Sequence, residues 1–304
     1  MSWRGITDWA KQRPSMLRLA DRLGRGTGRF RVLDHFGQIP AATLTPDLSK
    51  WNDHALAAAW IGHATVLIRI GGKTVLTDPV FSNRVGIGLG LATGGPRRLI
   101  APALSLNQLP SVDLILISHA HFDHLDRPTL RHLPKHIQII TAWNTSDLLL
   151  DLGFKNVSEL RWNESKSIEG LSVQALRVSH WGARTFYDHQ RGYNGYLIES
   201  ADRRVLYGGD TAYQDEFKSI GGVDLAIVGV GAYDPYIRAH ANPEQAWEMA
   251  MKFARAERVL PIHHSTFRLS YEPTKEPIQR FLTAAGDQAE RVIIRDVGGD
   301  WSLP

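Results

Sequence analysis

Apolar positions along this chain fall mostly into short runs bounded by turn residues. A β-rich run over 64–70, a Gly71-Gly72 turn and a second run over 73–77 read as the two arms of a hairpin. A buried strand over 112–118 runs directly into His119, and further strands are expected at 137–141, 157–160, 171–178, 195–199, 203–207, 224–230, 259–263 and 291–294. Helices alternate with them. Arg127 opens a short one reaching Leu133, with Asp126 as cap and Pro128 in its first turn. Others are expected over 145–152, 213–220, 243–255 and 275–285. The helix over 243–255 is the best marked: Asn242 caps it, Pro243 takes the first position, and Ala246, Trp247, Ala250, Met251 and Ala254 recur at helical spacing. A Gly-rich loop from Phe81 to about Pro102 is of a length that in a compact domain is usually functional or disordered.

This order predicts one α/β domain over residues 51–304, with two sheets and helices outside them, after an N-terminal extension over residues 1–50. In the extension, Ser15 can cap a short helix carrying Met16, Leu17, Leu19, Ala20 and Leu23, which Gly24, Gly26 and Gly28 break.

Composition changes this picture little. With 43% apolar and 22% charged residues in 304, the chain is an ordinary globular one with a large core. No apolar run has the length of a membrane span. No export signal is visible, so cytoplasmic is the default location. There are no cysteines, which removes disulfides and thiolate metal ligands. The net charge of +4 favours an anionic partner mildly. The excess concentrates in the extension, where Arg4, Lys11, Arg13, Arg18, Arg22, Arg25, Arg29 and Arg31 face only Asp8 and Asp21. Two readings of this segment stay open: it packs on the domain, or it lies as a basic amphipathic element, with Trp3 and Trp9, on an anionic bilayer. No nucleic-acid-binding module is recognisable, so no nucleic-acid partner is expected.

The chemistry concentrates in His119-Ala-His121-Phe-Asp123-His124, directly after a buried strand. On an α-helix, residues two apart point about 200° apart, so His119 and His121 could not converge there. In an extended segment they share a face. The chain must therefore leave the strand extended and then turn, returning Asp123 and His124 to the same pocket. Imidazoles with carboxylates suit Zn²⁺, Mn²⁺ or Fe²⁺.

With its surroundings, the segment 117–126 resembles the signature of the metallo-β-lactamase superfamily. Leu76-Thr-Asp78-Pro79 resembles the family's preceding aspartate motif, Ser179-His180-Trp181 its third-motif histidine, Gly208-Gly-Asp210-Thr211 its bridging aspartate and Pro261-Ile-His263-His264 its last histidine. The resemblance implies a four-layer αββα sandwich with metals at one edge of the sheets. Within the superfamily the chain is most similar to the N-acylphosphatidylethanolamine-hydrolysing phospholipase D branch, through Trp60-Ile-Gly-His-Ala-Thr65, Thr77-Asp-Pro-Val-Phe-Ser82, the run 208–213, Gly231-Ala-Tyr-Asp-Pro235, His240-Ala-Asn-Pro-Glu244 and Ile262-His-His-Ser-Thr-Phe267. It departs from that branch at His264-Ser265, where Trp-Gly is usual.

By position, the resemblance implies that His119, His121 and His180 hold one divalent ion and Asp123, His124 and His263 a second, with Asp210 bridging. Two such ions, expected to be zinc with manganese or iron as alternatives, would supply a hydroxide nucleophile and polarise the bond attacked. Asp123 would also orient the nucleophile or take its proton, and His240 would contact the phosphate or leaving group. His63 is either a support of this site or a structural strand-end residue. Asp78 is expected to support the site rather than bind metal. His35, His54, His132, His136 and His189 are read as facing solvent or making local hydrogen bonds. The expected substrate is an anionic phosphodiester such as an N-acyl phosphatidylethanolamine-like phospholipid. A lactone or small ester comes second, with a nuclease or a non-catalytic metal-binding protein behind it.

Overall fold

Alternating residues of each central strand enter different cores, and this alternation sets the layers. The computed structural model describes residues 38–53, 56–89 and 92–303. The expected helix near Ser15, the tryptophans of the extension, His35 and His54 lie outside them. The strands in chain order are β1 (Leu56–Gly62), β2 (Thr65–Ile70), β3 (Lys73–Thr77), β4 (Ile87–Leu89), β5 (Ala92–Gly94), β6 (Leu114–Ile117), β7 (Gln138–Ala142), β8 (Val157–Leu160), β9 (Ser165–Ile168), β10 (Leu171–Leu176), β11 (Gly195–Glu199), β12 (Arg204–Tyr207), β13 (Val223–Gly229), β14 (Ala256–Ile262) and β15 (Asp300–Leu303). The helices are α1 (Arg127–His132), α2 (Asp147–Leu150), α3 (Pro243–Glu248) and α4 (Glu276–Ala285).

One sheet has the order β15-β1-β2-β3-β6-β7-β8 and the other β14-β13-β12-β11-β10-β9. Leu56, Ala58 and Trp60 of β1, Leu114 and Leu116 of β6, and Leu225 and Ile227 of β13 fill the core between the sheets. Ala57, Ala59 and Ile61, with Ile115 and Ile117, point the other way, onto Leu130 of α1 and Leu149 of α2. Ala226 and Val228 turn outward onto Ala246 of α3 and Phe281 of α4. The layers are therefore helix, sheet, sheet, helix, as expected for an αββα sandwich. Strands buried on both faces read as continuous apolar runs.

The compact unit starts at Ile39, ahead of the boundary near residue 50 read from the sequence. Pro40 O accepts from Ala101 N at 2.7 Å, and Asp47 N donates to Asp300 Oδ1 at 3.2 Å. No helix among the described residues is long and apolar enough to cross a membrane.

Several local expectations are corrected. The segment 291–294 forms no strand; Val292 makes an isolated bridge to Val259, and the final strand is β15. The helix expected over 145–152 contracts to α2, and the one over 213–220 to a 3-10 turn at Glu216–Ile220. The helix after Asn242 passes from α3 into a π segment at Met249–Phe253. Its cap is as expected: Asn242 Oδ1 accepts from Gln245 N at 2.9 Å, and Gln245 Oε1 from Asn242 N at 3.1 Å. Asp126 precedes α1, but its carboxylate caps no backbone N–H of the helix. It accepts from the hydroxyls of Ser82 and Thr129 instead.

Candidate metal centre

Strands β3, β6, β7 and β8 run parallel, as do β12, β13 and β14, so their C-terminal ends gather at one edge of each sheet. Ligands of open α/β sheets characteristically bind at such an edge. Beyond β6, His119 still pairs with Tyr193 as an isolated bridge. The chain then turns: Leu125 N donates to His121 O at 2.8 Å. This is the extended-then-turned path the spacing required. Arg184 pins both ends of the turn, donating through Nη1 to Ala120 O at 2.8 Å and to Leu125 O at 2.7 Å.

His180 follows β10, Asp210 follows β12 and His263 follows β14. Gly209 lets the chain turn at Asp210: it has φ +57°, and a Cβ there would sit 2.8 Å from Asn194 O. Gly231 is required for a different reason, since a Cβ there would lie 2.2 Å from His263 O.

The structure brings all seven expected ligands together. His119 Nε2 lies 2.8 Å from His121 Nδ1, and His180 Nε2 lies 3.3 Å from the same atom. His124 Nε2 lies 3.2 Å from His263 Nε2, and the Asp123 carboxylate 3.4 Å from His263 Nε2. Asp210 Oδ2 stands between the groups, 3.2 Å from His124 Nε2, 3.3 Å from His263 Nε2 and 3.8 Å from His180 Nε2.

His240 joins this cluster beside His180 and Asp210, with Nδ1 at 3.6 Å from Asp210 Oδ2. His63, which the sequence left open, sits with Asp123, His124 and His263, its Nε2 3.0 Å from Asp123 Oδ2. His264 stands apart, its ring 4.6 Å from that of Trp60 and its Nδ1 2.8 Å from Ser265 Oγ. Among the described residues, His132, His136 and His189 join no such cluster.

The donor set fits metal ions. His124 Nδ1 lies 2.6 Å from Asp78 Oδ2, so the Nδ1 proton belongs there and Nε2 is the atom a metal would take, in place of the proton it carries without one. His180 donates Nδ1–H to Ala239 O at 3.0 Å, which leaves Nε2 with a lone pair. Lone pairs thus converge with two carboxylates in a buried space, an arrangement that a cation satisfies and hydrogen bonding alone does not.

The electrostatics agree. Burial, reinforced by neighbouring imidazoles, holds His119 well below its ordinary value. Burial likewise lowers His180, and lowers His121 to about 4, so these rings are neutral. Burial opposes charge on His263 too, but Asp210 and Asp123 outweigh it and raise the ring to about 9. The same carboxylates, joined by Asp78, raise His124 well above its ordinary value. Asp123 and Asp210 are held well below the carboxylate range by these histidines, against the effect of burial. Without metal, protons on His124 and His263 balance the acids; divalent ions would do so in their place.

Sequence reasoning missed the supports of this centre. Tyr207 donates its hydroxyl to Asp78 Oδ2 at 2.5 Å, and Ser118 donates N–H and O–H to the same carboxylate at 2.7 and 2.6 Å. Tyr207 reads in sequence as an ordinary strand residue, and Arg184 as a loop charge. Only the fold brings them to the ligands.

Residues 73–264 match the family model described as a β-lactamase superfamily domain. An uncharacterized protein of Mycobacterium tuberculosis is 31% identical over 275 residues, covering 84% of this chain and 71% of that protein. The N-acyl-phosphatidylethanolamine-hydrolyzing phospholipase D 1 of Caenorhabditis elegans is 30% identical over 297 residues, covering 89% of this chain and 82% of that one. Among solved structures, a possible metal-dependent hydrolase from Veillonella parvula has the same fold, with a TM-score of 0.66 and 20% identity over 82% of this chain and all of its own. Fold, converging donors and relatives agree that the chain belongs to the metallo-β-lactamase superfamily and is a metal-dependent hydrolase.

Proposed function

We propose that the chain is a binuclear hydrolase that cleaves a phosphodiester, and that its substrate is an N-acyl phosphatidylethanolamine-like phospholipid. The observation that carries the two-ion reading is Asp210 Oδ2, set between His180 on one side and His124 and His263 on the other. In this reading His119, His121 and His180 hold one ion, Asp123, His124 and His263 the other, and Asp210 is shared. Bound there, two divalent ions, zinc first and manganese or iron as alternatives, would lower the pKa of water and polarise the phosphoryl oxygen.

The chain's own residues do the rest. His63 and His263 hold the Asp123 carboxylate, and that carboxylate orients the attacking water or takes its proton. His240 is 11% exposed at the side chain, and in this reading it meets the phosphate or the leaving oxygen. The substrate class is supported by the name of the nematode relative and by the resemblance of the run Gly208–Tyr213 to that branch. The protein would work in the cytoplasm against the inner membrane surface, with the basic extension as one contact.

His264-Ser265, in place of Trp-Gly, favours a second reading: a site reshaped for a lactone or small ester. Metal-loaded protein should be assayed on N-acyl phosphatidylethanolamine, a soluble aryl phosphodiester, a lactone, a β-lactam and a thioester. Turnover of the two phosphodiesters above the others is expected. Turnover of the lactone alone would replace the phosphodiester reading by the second one.

A further inference from the structure

The loop after β10 runs from the metal cluster to the solvent and presents an aromatic tip there. At its base, Trp181 packs its ring 4.4 Å from that of His180 and 4.8 Å from that of His121. At its apex, Phe186 is 50% exposed and Tyr187 97% exposed. Solvated apolar side chains singly placed need no explanation, but this pair sits on a built turn. Thr185 N donates to Asp188 Oδ1 at 2.6 Å, and Arg191 Nε to Asp188 Oδ2 at 2.7 Å. Arg191 continues to Asp147 with two bonds of 2.5 and 2.9 Å and to Asn144 O at 2.8 Å. Arg184 ties the near side to the ligand loop and stacks over Phe122 at 4.0 Å. The polar bonds lie at the base and the apolar groups at the apex, so the fold holds the tip out in water.

The surface that the end of this loop meets carries two tryptophans with arginines over their rings, among carboxylates that include Asp147 and Glu216. Gly192 N donates to Trp143 O at 2.7 Å, which joins this loop to a tryptophan that is 36% exposed. Arg161 stacks over the Trp143 ring at 3.9 Å, and Arg177 over Trp162 at 5.3 Å while also lying 3.4 Å from Glu216 Oε1. Tryptophan and tyrosine with arginine is the composition that settles at a lipid–water boundary, where the rings take the apolar side and the guanidinium groups meet headgroup phosphate.

We infer that the Phe186–Tyr187 tip, with the Trp143–Arg161 pair beside it, docks the folded domain on an anionic phospholipid bilayer. This rests on the phospholipid reading above and extends it. The tip belongs to the loop that carries His180, so docking would bring the metal cluster to the membrane surface, and the substrate headgroup would have a short path to it.

The test uses full-length metal-loaded protein and vesicles of equal parts phosphatidylcholine and phosphatidylglycerol, which contain no N-acyl phosphatidylethanolamine, so that binding is read apart from hydrolysis. The double variant Phe186→Ser/Tyr187→Ser should weaken vesicle partitioning about tenfold or more, as expected when two aromatic side chains lose their apolar contact. Phe186→Leu/Tyr187→Trp should retain it. Both variants should keep the parent melting temperature, metal content and turnover of a soluble aryl phosphodiester. Absence of vesicle binding by the parent would overturn the proposal, as would full binding by the serine variant. A serine variant that loses single-stranded oligonucleotide binding but no vesicle binding would also overturn it. Loss of vesicle binding in a protein that proves to hydrolyse only lactones would leave the docking surface standing and remove the substrate reading.

Discussion

The Asp78 carboxylate lies 2.6 Å from His124 Nδ1, and both side chains are fully buried. Tyr207 and Ser118 bond to the same carboxylate, so its direction is fixed and His124 Nε2 points at the cluster. Asp78→Asn keeps the shape but can offer its amide as a donor, which competes with the required tautomer. Metal affinity, measured by competition with a chromophoric chelator, should fall about 10–100-fold, the usual range for partners of metal-bound histidine. Unchanged affinity would show that His124 does not depend on this bond.

The adjacent histidines separate by geometry. His263 Nε2 meets Asp123 and Asp210, while His264 packs on Trp60. His263→Ala should lose metal and activity; His264→Ala should keep both metals and show at most altered kinetics. The opposite pattern in metal analysis would reverse the assignment.

His240 Nδ1 lies 3.6 Å from Asp210 Oδ2. His240→Ala should leave metal content intact and lower kcat/KM by about 10²–10⁴, the range for a positioned acid or base. A fully active variant would make His240 a wall of the site without a chemical role.

Much of this was legible because the central strands are buried on both faces. β6 and β13 carry their burial as unbroken apolar runs, Leu114–Ile117 and Leu225–Val228. The ligand segment was legible because only an extended-then-turned chain lets His119, His121 and His124 converge. What the sequence hid has physical reasons. β9 reads Ser-Lys-Ser-Ile and is exposed over its first three residues, so it has no apolar pattern. Val292 mimics a strand residue by packing into the outer core without a ladder. His63 lies more than fifty residues before Asp123, and only the pairing of β1, β2 and β3 with β6 brings them together.

The approach of Gly231 to His263 gives a stability prediction. Gly231→Ala would place a Cβ 2.2 Å from a backbone oxygen, whereas Gly222→Ala meets nothing closer than 3.8 Å. Gly231→Ala should destabilise by about 1–3 kcal/mol, as overpacking does, and Gly222→Ala by much less. Thermal denaturation of the two variants checks this; equal melting temperatures would mean the backbone at 231 yields without cost.

The central claim is that Asp210 joins two metal ions. Purified protein reconstituted with Zn²⁺, Mn²⁺ or Fe²⁺ and freed of excess should carry close to two ions per chain by elemental analysis, and Asp210→Ala should carry one or fewer and lose activity in step. No retained ion in the parent protein, or two ions retained by Asp210→Ala, would contradict it.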